Sequence, residues 1–255
     1  MTDTQLVITR RSLLTGLASA GGVLLTGCAP NDPPTYGNLL RMGDNFTYRA
    51  QRLLLPAHSL AREYTRADIS SIQAIGTTNP SDPDQTGDKE ASALYDQLRH
   101  GEFKDWRLRV EGSVARPGTF SLADLKRLPS RTQITKHTCE EGWSAIAEWT
   151  GVPLHRVLSA CGTLPSARYV NFFTFDDQCD SIDMFDALHP QTLLAYGLNG
   201  RTLPVAHGAP LRLRVEKQLG QKMWKYLYRI VVTDHFFDPG KQGLIGIGWS
   251  WYYGI

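Results

Sequence analysis

Beyond Phe103 the chain never keeps one apolar period for long, and this alternation limits the folds open to it more than any other feature. Trp106 to Gly112 runs apolar and charged in turn, as a half-buried strand does, and Arg116-Pro117-Gly118 turns into a second short strand. Ser121-Leu122-Ala123-Asp124-Leu125 opens a helix, with Ser121 as N-cap and Asp124 at the third helical position, where its carboxylate can reach back to the cap. Thr132 to Thr138 is extended, Cys139 to Gly142 is a turn, and Val152 to Cys161 is a helix stopped by Gly162. Tyr169 to Phe175 is an aromatic β-type run, and Leu203 to Pro210 is a loop. Leu211 to Val215 alternates strictly, and Tyr226 to Val232 is a second strong strand. Such a mixture predicts an α+β fold with a largely β core and short surrounding helices. Upstream, Asp44 to Arg66 has a helical pattern of leucines interrupted by Pro56 and reads as a wrapping segment. Ile75 to Gly87 is loop chemistry, and Ala91 to Leu98 makes a short helix.

The amino terminus is a targeting segment and not part of this fold. Thr9-Arg10-Arg11-Ser12-Leu13-Leu14 precedes a run rich in Leu, Ala, Gly and Val that closes on Leu25-Thr26-Gly27-Cys28. The arginine pair fits the twin-arginine route, which exports folded protein, although ordinary secretory signals also carry such pairs. The run is Gly-rich and shorter than the roughly 20 residues that span a bilayer. Its end resembles a lipobox, in which a lipid on Cys28 would tether the protein to a membrane surface through the Pro/Asn/Asp-rich stretch that follows. We therefore divide the chain into an export signal over 1–28, a linker over 29–43 and a single domain over 44–255. A net charge of +2 is too small to argue for a nucleic-acid partner. Of the four cysteines, acylation of Cys28 would leave an odd number, so at least one thiol stays outside any intrachain disulfide. Cys161 and Cys179 either pair or are simply buried.

The most informative segment is Lys136-His137-Thr138-Cys139-Glu140-Glu141-Gly142-Trp143-Ser144, followed by Trp149-Thr150-Gly151-Val152-Pro153-Leu154. Further on come Thr174, His189-Pro190-Gln191-Thr192-Leu193-Leu194, His207-Gly208-Ala209-Pro210-Leu211-Arg212 and Gly220-Gln221-Lys222-Met223-Trp224-Lys225. In order and spacing these resemble the sulfite-oxidase superfamily of molybdopterin-dependent oxidoreductases, and within it the catalytic subunits of periplasmic methionine-sulfoxide reductases. The resemblance implies a sulfite-oxidase-like molybdopterin-binding fold and a molybdenum-molybdopterin cofactor, with Cys139 as the protein ligand to molybdenum.

On its own, a lone cysteine in a β-rich protein is more often an inert buried residue; the surrounding motif reverses that reading. A soft thiolate suits a metal that already carries two dithiolene sulfurs. No CxxC, CxxCH or HExxH motif competes for a metal. By resemblance, Thr174, His207, Arg212, Lys222, Trp224 and Lys225 hold the pterin and its phosphate, and Ser71 stands in an amino-terminal cofactor-binding loop where the family has an Asn. Without the motif, Arg212 and Arg214 would read as the solvated face of an alternating strand, and Arg214 is assigned to that face. Glu141 is either the group that delivers a proton near the metal or a structural carboxylate bonded to nearby backbone. Trp249, Trp251, Tyr252 and Tyr253 are read as core packing, or else as lining for a substrate funnel or docking face.

The resemblance implies oxygen-atom transfer with molybdenum cycling between Mo(IV) and Mo(VI), in the direction of reducing an S-oxide or N-oxide. The substrate is then a small oxide or protein methionine sulfoxide, and the electrons come from a membrane b-type cytochrome or another carrier. Sulfite oxidation is the alternative within the class, and Glu-Glu-Gly-Trp after Cys139, in place of an Arg-bearing segment, weighs against it. A metal-free tethered binding domain on the same fold, or a disulfide-stabilised scaffold domain, are the alternatives outside it.

Overall fold

The computed structural model describes residues 39–71, 78–86 and 88–255. The expected export signal and most of the expected linker lie outside the described residues, as does part of the loop expected from Ile75. Helix α1 (Leu39–Leu54) begins inside the stretch expected as linker and ends just before Pro56, which could not donate an intrahelical bond. A short α2 (Pro83–Thr86) forms in what reads as loop, and α3 (Lys89–His100) extends the expected helix by a turn, with Asp88 capping its first N–H groups at 3.0 Å. None of the described helices is long and apolar enough to cross a membrane.

Two five-stranded sheets follow. The first is ordered β2-β1-β10-β5-β6 and contains β1 (Leu108–Gly112), β2 (Gly118–Phe120), β5 (Tyr169–Thr174), β6 (Cys179–Asp183) and β10 (Leu227–Thr233). Its β1–β10 pair is parallel and the others antiparallel. The second runs β3 (Arg131–Thr138), β4 (Ser144–Pro153), β7 (Leu193–Leu198) and β8 (Arg201–Thr202), with β9 (Arg212–Arg214) also paired to β7. Helices α4 (Leu122–Arg127), α5 (Leu154–Cys161) and α6 (Met184–Ala187) sit at strand ends. The capping box at α4 forms as expected, with Asp124 N–H donating to Ser121 Oγ at 3.1 Å and Ser121 N–H to Asp124 Oδ2 at 2.9 Å. The helix expected from Val152 starts later, because Val152 and Pro153 still belong to β4.

The main apolar core draws on both sheets: Leu108, Val110, Val170 and Ile230 from the first meet Val152, Leu194 and Leu213 from the second. Gly151 is the narrow point of the second sheet. A Cβ there would overlap the Leu194 carbonyl at the bulge between β4 and β7, so only glycine lets these strands meet. Cys161 and Cys179 are both free and buried, which resolves their alternatives in favour of packing.

Helix α1 is tied to the sheets by charge as well as by contact. Arg52 reaches Asp183 at 3.0 Å and Asp186 at 2.9 Å, and both carboxylates are buried. Tyr48 donates its hydroxyl to Asp183 at 2.7 Å and packs with Tyr169, Trp251 and Tyr252. Burial and the Asp186 charge raise Asp183 above the usual carboxylate range, so this site depends on its cation. Arg52→Ala should lower the stability of the folded protein by about 3–5 kcal/mol, the typical cost of stranding one side of a buried pair. Denaturant unfolding at neutral pH measures this, and a midpoint equal to wild type would contradict it.

Candidate active site

Strands β3 and β4 form a hairpin, in register from Arg131 opposite Gly151 to Thr138 opposite Ser144. Cys139 is the first residue past β3. Its N–H donates to the Trp143 carbonyl at 2.9 Å, and Gly142 N–H donates back to the Cys139 carbonyl at 3.2 Å, which makes the expected turn. Cys139 Sγ lies 3.3 Å from Glu140 Oε2 and 3.7 Å from Glu141 Oε2, and the Trp143 indole donates to the same Glu141 oxygen at 2.8 Å. Burial first, and the adjoining Glu140 carboxylate after it, raise the thiol to about 11 against the opposing pull of the Glu141 backbone N–H. Free of metal, the group is a thiol, and ligation must release its proton.

The hairpin is locked to β9 by Arg214. This residue is fully buried, which corrects the expectation that it faces solvent: Leu211, Leu213 and Val215 fill the main core, and the opposite side of β9 is covered by Trp149 and the hairpin. Its guanidinium pairs with Glu216 at 3.0 and 2.8 Å, lies 4.3 Å from the Trp149 ring centroid, and donates to His137 Nδ1 at 2.8 Å. Because arginine can only donate, Nδ1 must accept and the proton of the neutral ring sits on Nε2. Burial, then Arg214, hold His137 down to about 2. Gly220 packs directly on this imidazole, where a Cβ would overlap it.

Cys139, Glu141 and Trp143 open onto a cavity of about 370 Å³ that is also lined by His207, Arg212 and Lys225. Arg212 donates to the carbonyls of His207 and Met223, each at 3.0 Å, and its guanidinium carbon stands 4.9 Å from the Trp149 ring centroid. Among the described residues, no carboxylate is ion-paired with either Arg212 or Lys225. Burial, then the Arg212 charge, lower Lys225 to about 8. Burial also pushes Arg212 and His207 down, with Arg214 and Arg212 respectively as the next cause. An anion among these groups would relieve all three. Several polar atoms at the cavity are sealed from solvent without a hydrogen-bond partner: Arg212 Nε, Trp149 Nε1, Trp224 Nε1, both amide atoms of Gln221, and Asp176 Oδ1. Among the described residues, no group of three or more His, Cys, Asp or Glu could hold a metal by itself, so a metal at Cys139 would need donors from a cofactor.

Of the residues singled out in the sequence, Cys139, Glu141, His207, Arg212, Trp224 and Lys225 come together around this one cavity. Thr174 does not line the cavity: its hydroxyl donates to the carbonyl of Gln178, a lining residue, at 3.1 Å and accepts from Gln178 N–H at 3.0 Å. Lys222 is fully buried elsewhere, with Nζ 3.1 Å from Asp180 Oδ1 and 2.8 Å from the Ser181 carbonyl. Ser71 is exposed, and residues 72–77 beside it lie outside the described residues. The aromatic carboxyl end divides: Trp251 and Tyr252 are core, and Trp249 lines the cavity with Leu244 and Ile247. His137, Trp149 and Gln221 sat inside the quoted motifs without being assigned a role. Asp176 carried no local signal beyond lying close to Thr174.

The family model described as "Oxidoreductase molybdopterin binding domain" matches residues 96–239. A relative from Azospira oryzae, named "Putative protein-methionine-sulfoxide reductase subunit YedZ1", is 36% identical over 248 residues, covering 96% of this chain and 87% of its own. The "Protein-methionine-sulfoxide reductase catalytic subunit MsrP" of Xanthomonas axonopodis pv. citri is 30% identical over 266 residues, covering 95% of this chain and 78% of its own. The crystal structure of the sulfane dehydrogenase SoxCD from Paracoccus pantotrophus matches 52% of this chain and 39% of that one, at 26% identity and a TM-score of 0.49.

The lowered Lys225 makes a prediction about the cofactor-free protein. Its folded-state value, about 8, lies below its ordinary 10.5, so between these pH values the unfolded chain holds the extra proton. Stability should therefore rise as pH increases through that window, and below it the full cost of burying the charge remains. Lys225→Met should remove this pH dependence and stabilise the cofactor-free protein at pH 7 by on the order of 1–2 kcal/mol, allowing for partial solvation. Thermal unfolding across the window tests it, and a variant less stable than wild type at pH 7 would contradict it.

Proposed function

Since this chain belongs to the molybdopterin-dependent oxidoreductase family and is closely related to the catalytic subunits of protein-methionine-sulfoxide reductases, we propose that it reduces an S-oxide or N-oxide by oxygen-atom transfer. The observation that supports this best is one cavity lined both by the Cys139 thiol and by Arg212 and Lys225, cations with no ion-paired carboxylate among the described residues. The residues fit a molybdenum-molybdopterin cofactor, because the sealed, unpartnered donors on Arg212, Trp149 and Trp224 call for acceptors such as phosphate and pterin oxygens and nitrogens. When bound, that cofactor would supply a two-electron redox centre for the oxygen-atom transfer.

The protein's own contributions follow from chemistry. Cys139 would hold the metal through one thiolate, which requires that its thiol lose its proton. His207, Arg212, Trp224 and Lys225 hold the anionic cofactor, Thr174 fixes the turn beside it, and Lys222 anchors the loop that carries Met223 to Lys225. Ser71 belongs to the amino-terminal part of the same site. Releasing substrate oxygen as water consumes two protons and two electrons. Glu141, exposed and held by Trp143 against Cys139, is the group that passes protons from solvent. Glu140 and Glu141 at the mouth would repel a dianion such as sulfite, which favours a neutral oxide and the reductive direction. The two curated relatives named above make protein-bound methionine sulfoxide one candidate substrate. Electrons come from a membrane b-type cytochrome or another carrier, since no redox motif beyond Cys139 is in the sequence. Export by the twin-arginine route, as one domain behind its signal and linker, with a lipid on Cys28, would place it at the outer face of a membrane.

Molybdenum and pterin content of wild type and Cys139→Ser, each purified from a host that makes the cofactor, tests the reading. Near-stoichiometric metal in wild type and its loss or altered redox signal in the variant is expected. Well-folded wild type without either component would leave a tethered binding domain as the better account. Glu141→Gln keeps an acceptor for the Trp143 indole, so metal content should be unchanged while sulfoxide turnover with an artificial electron donor falls about 100-fold. Unchanged turnover would return Glu141 to a purely structural role.

A further inference from the structure

Helix α1 packs with polar side chains inward, the reverse of an ordinary surface helix. Asp44 accepts from the Ser250 hydroxyl at 2.7 Å, Tyr48 donates to Asp183, Gln51 accepts from the Tyr252 hydroxyl at 2.6 Å, and Arg52 pairs with Asp183 and Asp186. These contacts fix the roll of the helix, because turning it over would strand two buried carboxylates. The opposite face is left to solvent. Gly43, Phe46, Thr47, Ala50, Leu53 and Leu54 fall within about 120° of the helix circumference, counted at 3.6 residues per turn, and none carries a charge. Phe46 is 54% exposed, Leu53 71% and Leu54 75%.

Three large apolar side chains on one uncharged face call for a partner. A second copy of the chain is a poor fit, because the exposed part of these residues amounts to on the order of a few hundred Å², against about 800 Å² per partner in a stable complex. A bilayer surface asks for less, since a helix face bearing Phe and Leu settles flat at the boundary of headgroups and acyl chains without spanning the membrane. The chain brings such a surface within reach. Residues 29–38, all that separate Cys28 from Leu39 where α1 begins, extend at most about 36–40 Å, so a lipid on Cys28 would hold α1 close to the bilayer. Resting on that tether reading, we infer that α1 lies on the membrane surface with Phe46, Leu53 and Leu54 at the acyl boundary, so that the domain is seated in one orientation instead of swinging on its linker.

Quenching by brominated phospholipids reads this contact separately from any lipid on the protein. Exported protein is bound to vesicles of phosphatidylethanolamine and phosphatidylglycerol, which contain no protein partner. The emission added by Leu54→Trp should fall by about half when the acyl chains are brominated, whereas that added by Leu94→Trp, at an exposed site on α3, should not change. Because both sites are exposed, neither variant should alter the unfolding temperature. Vesicle-bound protein in which the two variants quench alike would overturn the inference and leave the tether standing. Protein that does not bind these vesicles would overturn both. Quenching of Leu54→Trp in protein whose mass shows no lipid on Cys28 would uphold the inference and remove the tether. A dimer that Leu53→Ser combined with Leu54→Ser dissociates would assign the face to a second copy and overturn the membrane seat.

Discussion

A buried guanidinium shapes this site. Arg214 has no access to water, so its charge must be met inside the protein, and Glu216, the Trp149 ring and the His137 imidazole meet it from three directions. Each of these partners belongs to a different part of the site. Glu216 follows β9 and also receives Gln133 from β3, Trp149 lies on β4, and His137 stands two residues before Cys139. Removing any one would leave a charge or a donor unsatisfied where water cannot replace it. The Cys-bearing hairpin and the cation-bearing strand are therefore held in one geometry by a single electrostatic requirement.

That requirement also explains why the cavity is polar in so specific a way. Arg212 and Arg214 are both near Trp149, and only Arg214 has a carboxylate of its own. Arg212, Lys225 and His207 are left to share one wall, each pushed toward its neutral form by burial and by the others. Such a wall is costly in the free protein and becomes favourable when an anion arrives. In the same cavity the Cys139 thiol sits beside two carboxylates, with the indole of Trp143 bonded to one of them, an environment suited to proton traffic and not to phosphate.

Much of this was legible in the sequence. The α+β class followed from the changing period, the α4 cap from Ser121 and Asp124, and the turn after β3 from Cys139 to Gly142. The motif order brought six of the chosen site residues to one cavity although they are scattered from Cys139 to Lys225. Other parts were not legible, for identifiable reasons. Alternation along β9 reports that two faces differ but not that both are covered, so the sequence places Arg214 in solvent whereas Trp149 and His137 cover it. A lysine in a Gly-bearing loop next to the site looks like an anion ligand, whereas Lys222 turns inward to a buried aspartate on β6.

The sequence by itself determined most of the local elements and the family to which the chain belongs, and it singled out Cys139 as the thiol proposed to bind a metal, because each is written in residue types at short range or in a fixed order. Tertiary structure alone decided which cations lack a counter-charge, which polar atoms are sealed without a partner, and where Asp176 stands. Those properties depend on what packs against a side chain from distant strands. Burial acts through distance in space, and the sequence records distance only along the chain.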